Sequence, residues 1–184
     1  MNSSYKNNDI DYGDLIEAIA YSIKPKTIIE IGILDGYSLT RFIDATNKDI
    51  TKIVAYDIFD KFNGNHAKED ELKDRFKNNQ NVQIKYGDFY ELHKNIENNS
   101  IDIIHIDVAN NGEIYEYAIQ NYVSKLSSSG IMILEGGSKD RDEVVWMNKY
   151  NKPKIQPIID KYSKTYTIKN IGNHPSLTLI SKSR

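Results

Sequence analysis

The sequence predicts an α/β protein, a doubly wound sheet of seven strands that is mostly parallel and ends in an antiparallel hairpin. Three observations carry this. Short β-branched runs alternate with amphipathic segments along most of the chain. Those runs are apolar on both faces, as strands buried between two helical layers are. The last two runs are separated only by a turn, whereas a parallel crossover needs about a dozen residues or more.

The elements follow in order. Ile10 to Ile23 carries Leu15, Ile16, Ile19, Ala20 and Ile23 at helical spacing and stops before Pro25. Thr27 to Ile31 is a strand ended by Gly32, Ser38 to Ala45 a helix, and Lys52 to Asp57 the second strand. A charged helix, His66 to Lys77, leads to the strand Val82 to Tyr86 and a short helix, Tyr90 to Ile96. Ile101 to Asp107 is the most hydrophobic run and is expected at the centre of the sheet. Glu113 to Leu126 is an amphipathic helix, and Gly130 to Glu135 the fifth strand. Asp140 to Tyr150 is expected as one helix whose layer Ile155 to Ile159 extends. Thr165 to Ile171 and Leu177 to Ser181 form the hairpin about Gly172-Asn173-His174-Pro175, a turn-forming sequence.

A chain of 184 residues, 39% hydrophobic and 27% charged, suits a single globular domain with one core. The net charge is −2 and the basic residues are scattered, so nucleic acid is not an expected partner. The absence of cysteine excludes disulfides and thiolate metal sites. Met1 to Asp14 is polar, and no apolar run approaches the roughly 20 residues that cross a bilayer, so a cytoplasmic location without membrane contact is expected.

In open α/β sheets, ligands bind beyond the carboxyl ends of the strands, near the point where strand order reverses. Those ends hold Glu30 to Gly36, Asp57, Gly87-Asp88, Asp107 and Glu135. In Glu30-Ile31-Gly32-Ile33-Leu34-Asp35-Gly36-Tyr37-Ser38, Gly32 and Gly36 permit a sharp exit and a close backbone approach. Leu34 stands where a dinucleotide fingerprint has its middle glycine, so pyrophosphate is disfavoured. Asp57 lies about 20 residues past this loop, where an acid meets ribose hydroxyls; a helix cap is its structural alternative. Asp88 either accepts an exocyclic amine or caps the helix that follows.

In this order and spacing the motifs resemble the class I S-adenosylmethionine (SAM)-dependent methyltransferases, Rossmann-like proteins, and more narrowly their small O-methyltransferase-like branch. The likeness spans about Leu15 to Lys182, including His105-Ile106-Asp107, Lys125-Leu126 through Gly130-Ile131, and the terminal hairpin. It implies that Glu30, Gly32, Gly36, Tyr37 and Ser38 flank the methionine moiety of SAM. It implies that Asp57 takes the ribose, that Ile58 and Phe59 pack near the adenine, and that Asp88 and Phe89 border it. It further implies that Asp107 faces the methionine amino group or the acceptor. The implied reaction is methyl transfer to a small-molecule oxygen or nitrogen. Cleavage of SAM without an acceptor, or a degenerate binding module on the same fold, are the alternatives.

Where metal-dependent relatives continue with Asp or Asn after the acid, this chain has Glu135-Gly136-Gly137, so no metal is expected. Asp107, Glu135 and Asn110 are the oxygen donors a cation would have to use. His105 lies two residues before Asp107, on the same strand face, and is a second catalytic candidate as a general base; a buried histidine is its structural alternative. Tyr5 and Tyr12 are candidate covers of the pocket, although ordinary surface or core packing is the stronger reading of both. Trp146 and Met147 fall where acceptor specificity would lie, although helical spacing favours a core role for Trp146 over substrate contact. The acceptor is not legible, and small domains of this kind often pair, so a homodimer is an open alternative to a monomer.

Overall fold

The structure, a computed structural model, describes residues 3–7 and 9–183. Seven strands form one sheet: β1 (Thr27–Ile31), β2 (Lys52–Asp57), β3 (Val82–Tyr86), β4 (Ile101–Ile106), β5 (Leu126–Glu135), β6 (Tyr166–Gly172) and β7 (Ser176–Lys182). Their order across the sheet is β3-β2-β1-β4-β5-β7-β6. The first five run parallel, and β7 is antiparallel to both β5 and β6. The expected doubly wound sheet with its reversed hairpin is therefore what the chain forms. The most hydrophobic run, β4, takes the middle place, with Ile103, Ile104 and Ile106 fully buried.

One face is covered by α1 (Gly13–Ile23), α2 (Tyr37–Ala45) and α3 (Glu69–Arg75), which pack Ile16, Leu39, Phe42 and Leu72 on Ile28, Ile53 and Ile103. The other is covered by α4 (Phe89–Leu92), α5 (Gly112–Tyr122) and a helix near the C-terminus, with Tyr115, Ile119 and Tyr122 on Ile29, Ile104 and Met132. Among the described residues no helix is long and apolar enough to cross a membrane.

Three elements differ from expectation, each for a tertiary reason. The helix expected over Asp140 to Tyr150 is two, α6 (Lys139–Asp142) and α7 (Val145–Lys149), followed by a separate α8 (Gln156–Tyr162). Asp142 is drawn inward, where its carboxylate accepts from Ile155 N at 2.7 Å and Gln156 N at 2.9 Å, at the start of α8. The helix expected to reach Leu126 stops at Tyr122 with a 3₁₀ turn, because Leu126 pairs with Ile101 and opens β5. The pairing shifts register before Ile103↔Ile131, so the Ser127-Ser128-Ser129-Gly130 stretch is strand that no hydrophobic pattern announced. α3 is shorter than the expected helix over His66 to Lys77.

Strand order reverses between β1 and β4, which are neighbours in the sheet although three crossovers separate them. Their ends almost touch: Asp107 N donates to Ile31 O at 2.9 Å, and a Cβ on Gly32 would stand 2.0 Å from Asp107 O. With φ of +91°, Gly32 is a position where no side chain fits.

Candidate active site

A cavity of about 500 Å³ opens over that reversal point, within the size range of small-molecule and cofactor sites. One limb of its wall comes from β1 and β2: Gly32, Leu34, Tyr37, Ser38, Asp57 and Ile58. Gly87, Asp88, Phe89 and Tyr90 after β3 close that limb. The other limb follows β4, with Asp107, Val108, Ala109 and Asn111, and reaches Glu113, Ile114 and Lys152. Ser3 and Ser4 lie across it from the N-terminal segment.

Asp57 is buried at the cavity wall, and its oxygens hold two loops. Oδ2 accepts from Ile33 N at 2.8 Å and Leu34 N at 3.3 Å; Oδ1 accepts from Phe59 N at 2.9 Å and Asn65 Nδ2 at 2.6 Å. A carboxylate has about four lone-pair directions, so protein donors engage all of them. A solvated strand end it is not. The bond to Phe59 N shapes a turn in which Phe59 has φ of +48° and its ring enters the core. Ile58 stays on the cavity wall, and Phe62 supplies the aromatic surface expected of Phe59.

Asp88 caps α4, accepting from Tyr90 N at 2.8 Å, while still lining the cavity. The cap is therefore formed, and the residue still faces the cavity. Phe89 stacks on Tyr122 at 5.4 Å between centroids, with the planes 9° apart. Gly36 is off the wall: it opens α2 with φ of +72°, and a Cβ there would press on the Phe76 ring at 3.0 Å.

Glu30 and His105 lie behind the wall, side by side in the β1–β4 register and with no exposure. Ser38 Oγ donates to Glu30, His105 Nδ1 is 3.2 Å from Glu30 Oε1, and Tyr5 OH is 2.7 Å from His105 Nε2. His105 therefore lacks access to a substrate in the cavity, which corrects its reading as a general base. Strand alternation placed it on the right face, but Tyr5, itself 1% exposed, covers it. Tyr12 packs its hydroxyl against Gly172 in the terminal hairpin and away from the cavity wall. Tyr37 lines the cavity, and its hydroxyl donates to Asp11.

Asp107 is the carboxylate most disposed to chemistry. It faces the cavity half-buried, and Ser4 Oγ donates to its Oδ2 at 2.6 Å. Burial, followed by repulsion from Glu135, pushes its pKa up to about 7, against partial relief from His105 and Ser4.

The remaining oxygen donors are engaged elsewhere. Glu135 takes Arg141 on both oxygens, from Nε at 2.7 Å and Nη2 at 2.9 Å. Asn110 donates its amide to Ile106 O at 3.1 Å and Glu135 O at 3.0 Å, latching the ends of β4 and β5 together. Among the described residues no three His, Cys, Asp or Glu side chains converge as a metal site would require. Sequence reasoning missed Ser3, Ser4, Phe62, Asn65, Tyr90 and Lys152 on the wall. A possible signal for Asn65 was its neighbour Gly64, since a polar residue beside glycine marks a loop that can fold back on a strand end.

A glycine loop, an acid at the end of β2 and a cavity over the strand-order reversal make the arrangement in which open α/β sheets take their ligands. The family model of a methyltransferase domain matches residues 29–135, and the chain belongs to that family. Solved structures agree in fold. A methyltransferase from Podospora anserina with SAH bound shares 19% identity and a TM-score of 0.70, over 94% of this chain and 78% of that one. The O-methyltransferase TomG from Streptomyces achromogenes, involved in tomaymycin synthesis and solved with SAM, shares 16% at 0.68, over 94% and 79%. An O-methyltransferase from Bacillus cereus in complex with SAH shares 17% at 0.67, over 97% and 84%. No curated protein matches the sequence.

Proposed function

We propose that this protein is a SAM-dependent methyltransferase acting on a small-molecule oxygen or nitrogen. The observation that carries the reading is the cavity itself: it spans the ends of β1, β2 and β3 on one limb and of β4 on the other, room for a cofactor beside an acceptor. Membership of the methyltransferase family and the cofactors named for the solved neighbours support it.

SAM, when bound, supplies a methyl group on a sulfonium that is already activated. The protein's task is then to position and to exclude water. The Gly32 loop borders the methionine moiety, with Tyr37 and Ser38 beside it, while Glu30 and Gly36 support that loop from behind. Asp57 borders the ribose, whose hydroxyls take the lone pairs held now by the long Leu34 bond and by Asn65. Asp88, Phe89, Ile58 and Phe62 frame the adenine. Asp107 stands next to the acceptor, and its raised proton affinity suits it to take the acceptor's proton near neutral pH.

Incubation with SAM and identification of the product tests this. S-adenosylhomocysteine formed in step with a methylated small molecule is expected. Methylthioadenosine or homoserine lactone would show cleavage instead, and unchanged SAM across a panel of hydroxyl and amine acceptors would point to a binding module.

A further inference from the structure

The register Ile106↔Leu134 makes Asp107 and Glu135 the next residues at two neighbouring strand ends. A pair of carboxylates there invites a cation. The cation present is a side chain. Arg141, 5% exposed, grips both oxygens of Glu135, 4% exposed, and donates from Nη2 to Asn110 O at 3.2 Å. Such a two-point guanidinium–carboxylate pair is strong and directional. Ser138 and the short α6 deliver it: Ser138 Oγ accepts from Arg141 N at 3.0 Å, which turns the arginine inward. Burial by itself would lower the guanidinium's proton affinity, but the bonds and charge of Glu135 outweigh it and keep it cationic.

We propose that Arg141 is the resident cation behind the β4 limb of the cavity wall, and that by covering Glu135 it closes the Asp107–Glu135 pair to divalent metal ions. Mg²⁺ needs several oxygens in near-octahedral array. Here both Glu135 oxygens are taken by Arg141, and Asn110 is held by its NH2 on two backbone carbonyls while its Oδ1 accepts from Val108 N at 3.4 Å, leaving Asp107 alone. The proposal rests on the reading of this cleft as the acceptor site, and its test uses metal uptake, which does not depend on methyl transfer.

The probe is Mn²⁺, followed by loss of its free paramagnetic resonance signal. Quenching of Trp146 reports locally, since this single tryptophan has its ring 5.1 Å from Arg141 Cζ. Wild type and Glu135→Gln are expected to take up no Mn²⁺ at millimolar concentration. Arg141→Met exposes the carboxylate pair and is expected to gain affinity by about tenfold or more, the scale on which partners around a metal site act. Arg141→Met/Glu135→Gln should return to the wild-type level. Uptake by wild type that Glu135→Gln abolishes would overturn the proposal, and so would a folded Arg141→Met that ignores Mn²⁺. If Arg141→Met does not fold, Arg141→Lys, which keeps the charge but loses the fork, should show a smaller gain, and its silence would count against the idea equally. Failure of methyl transfer with this Mn²⁺ pattern intact would sink the functional reading and leave the closed site standing.

Discussion

Asp57 and Asp107 end strands on opposite limbs of one cavity, and their surroundings give them opposite characters. Asp57 accepts four hydrogen bonds and acts as a knot between the loops after β1 and β2. Asp57→Ala strands those donors, so it should lower stability by about 1–3 kcal/mol and also weaken SAM binding. The near-isosteric Asp57→Asn should preserve more of the fold while weakening SAM by roughly 1.5–3 kcal/mol, the range for bonds to a charged group. Calorimetric titration beside thermal melting separates the two effects. Undiminished SAM affinity in a folded Asp57→Asn would place the ribose elsewhere.

Asp107 has a folded-state pKa of about 7, above the ordinary carboxylate value. A raised value means the native state binds the proton more tightly than the unfolded chain. Its contribution to stability is thus complete below the unfolded pKa of about 3.9 and is lost as pH rises through 7. Asp107→Asn cannot ionise, and its stability should fall less than that of wild type between pH 4 and 8. Parallel wild-type and variant curves over that range would show that Asp107 does not titrate there. Methyl transfer by the variant should also drop, because the acceptor's proton loses its destination.

At the level of elements, the region after β5 shows how two adjacent buried polar residues reorganise a helix. Arg141 and Asp142 both turn inward, one to Glu135 and one to the first backbone amides of α8. A helix of seven residues with no cap of its own borrows one from across the chain. Asp142→Ala should therefore cost about 0.5–2 kcal/mol, as loss of an N-cap does, and should raise amide exchange in α8 without altering the sheet. Exchange in α8 indistinguishable from wild type would show that its packing on α5 suffices.

For the whole molecule, cofactor choice has a thermodynamic signature. A ligand at 100 times its dissociation constant adds about 2.7 kcal/mol to native stability. In a chain of this size each kcal/mol moves the melting temperature by about 2–4 °C, so SAM or S-adenosylhomocysteine should raise it by roughly 5–11 °C. NAD should leave it unchanged, because Leu34 occupies the place of the glycine that a pyrophosphate needs. A shift with NAD and none with either sulfur nucleoside would reverse the assignment.

The sequence by itself determined the alternation of strands and helices, the central β4, the reversed hairpin and the strand-end positions at which a cavity forms. Those follow from local periodicity and from the rule that short links join antiparallel strands, both of which act between near neighbours in the chain. Only the tertiary structure decided which strand-end side chains reach the cavity. Asp57 and Asp107 do, while Glu30 is buried against Ser38 and His105, and His105 is covered by Tyr5, about 100 residues from it in sequence and adjacent to it in space. Phe62 lines the cavity where Phe59 was expected, because the hydrogen bond that Phe59 N donates to Asp57 turns the backbone over. Glu135 finds Arg141 because the chain folds back after Ser138. Each of these is a competition among buried polar groups for partners, and a competition of that kind is settled only when every competitor is in place.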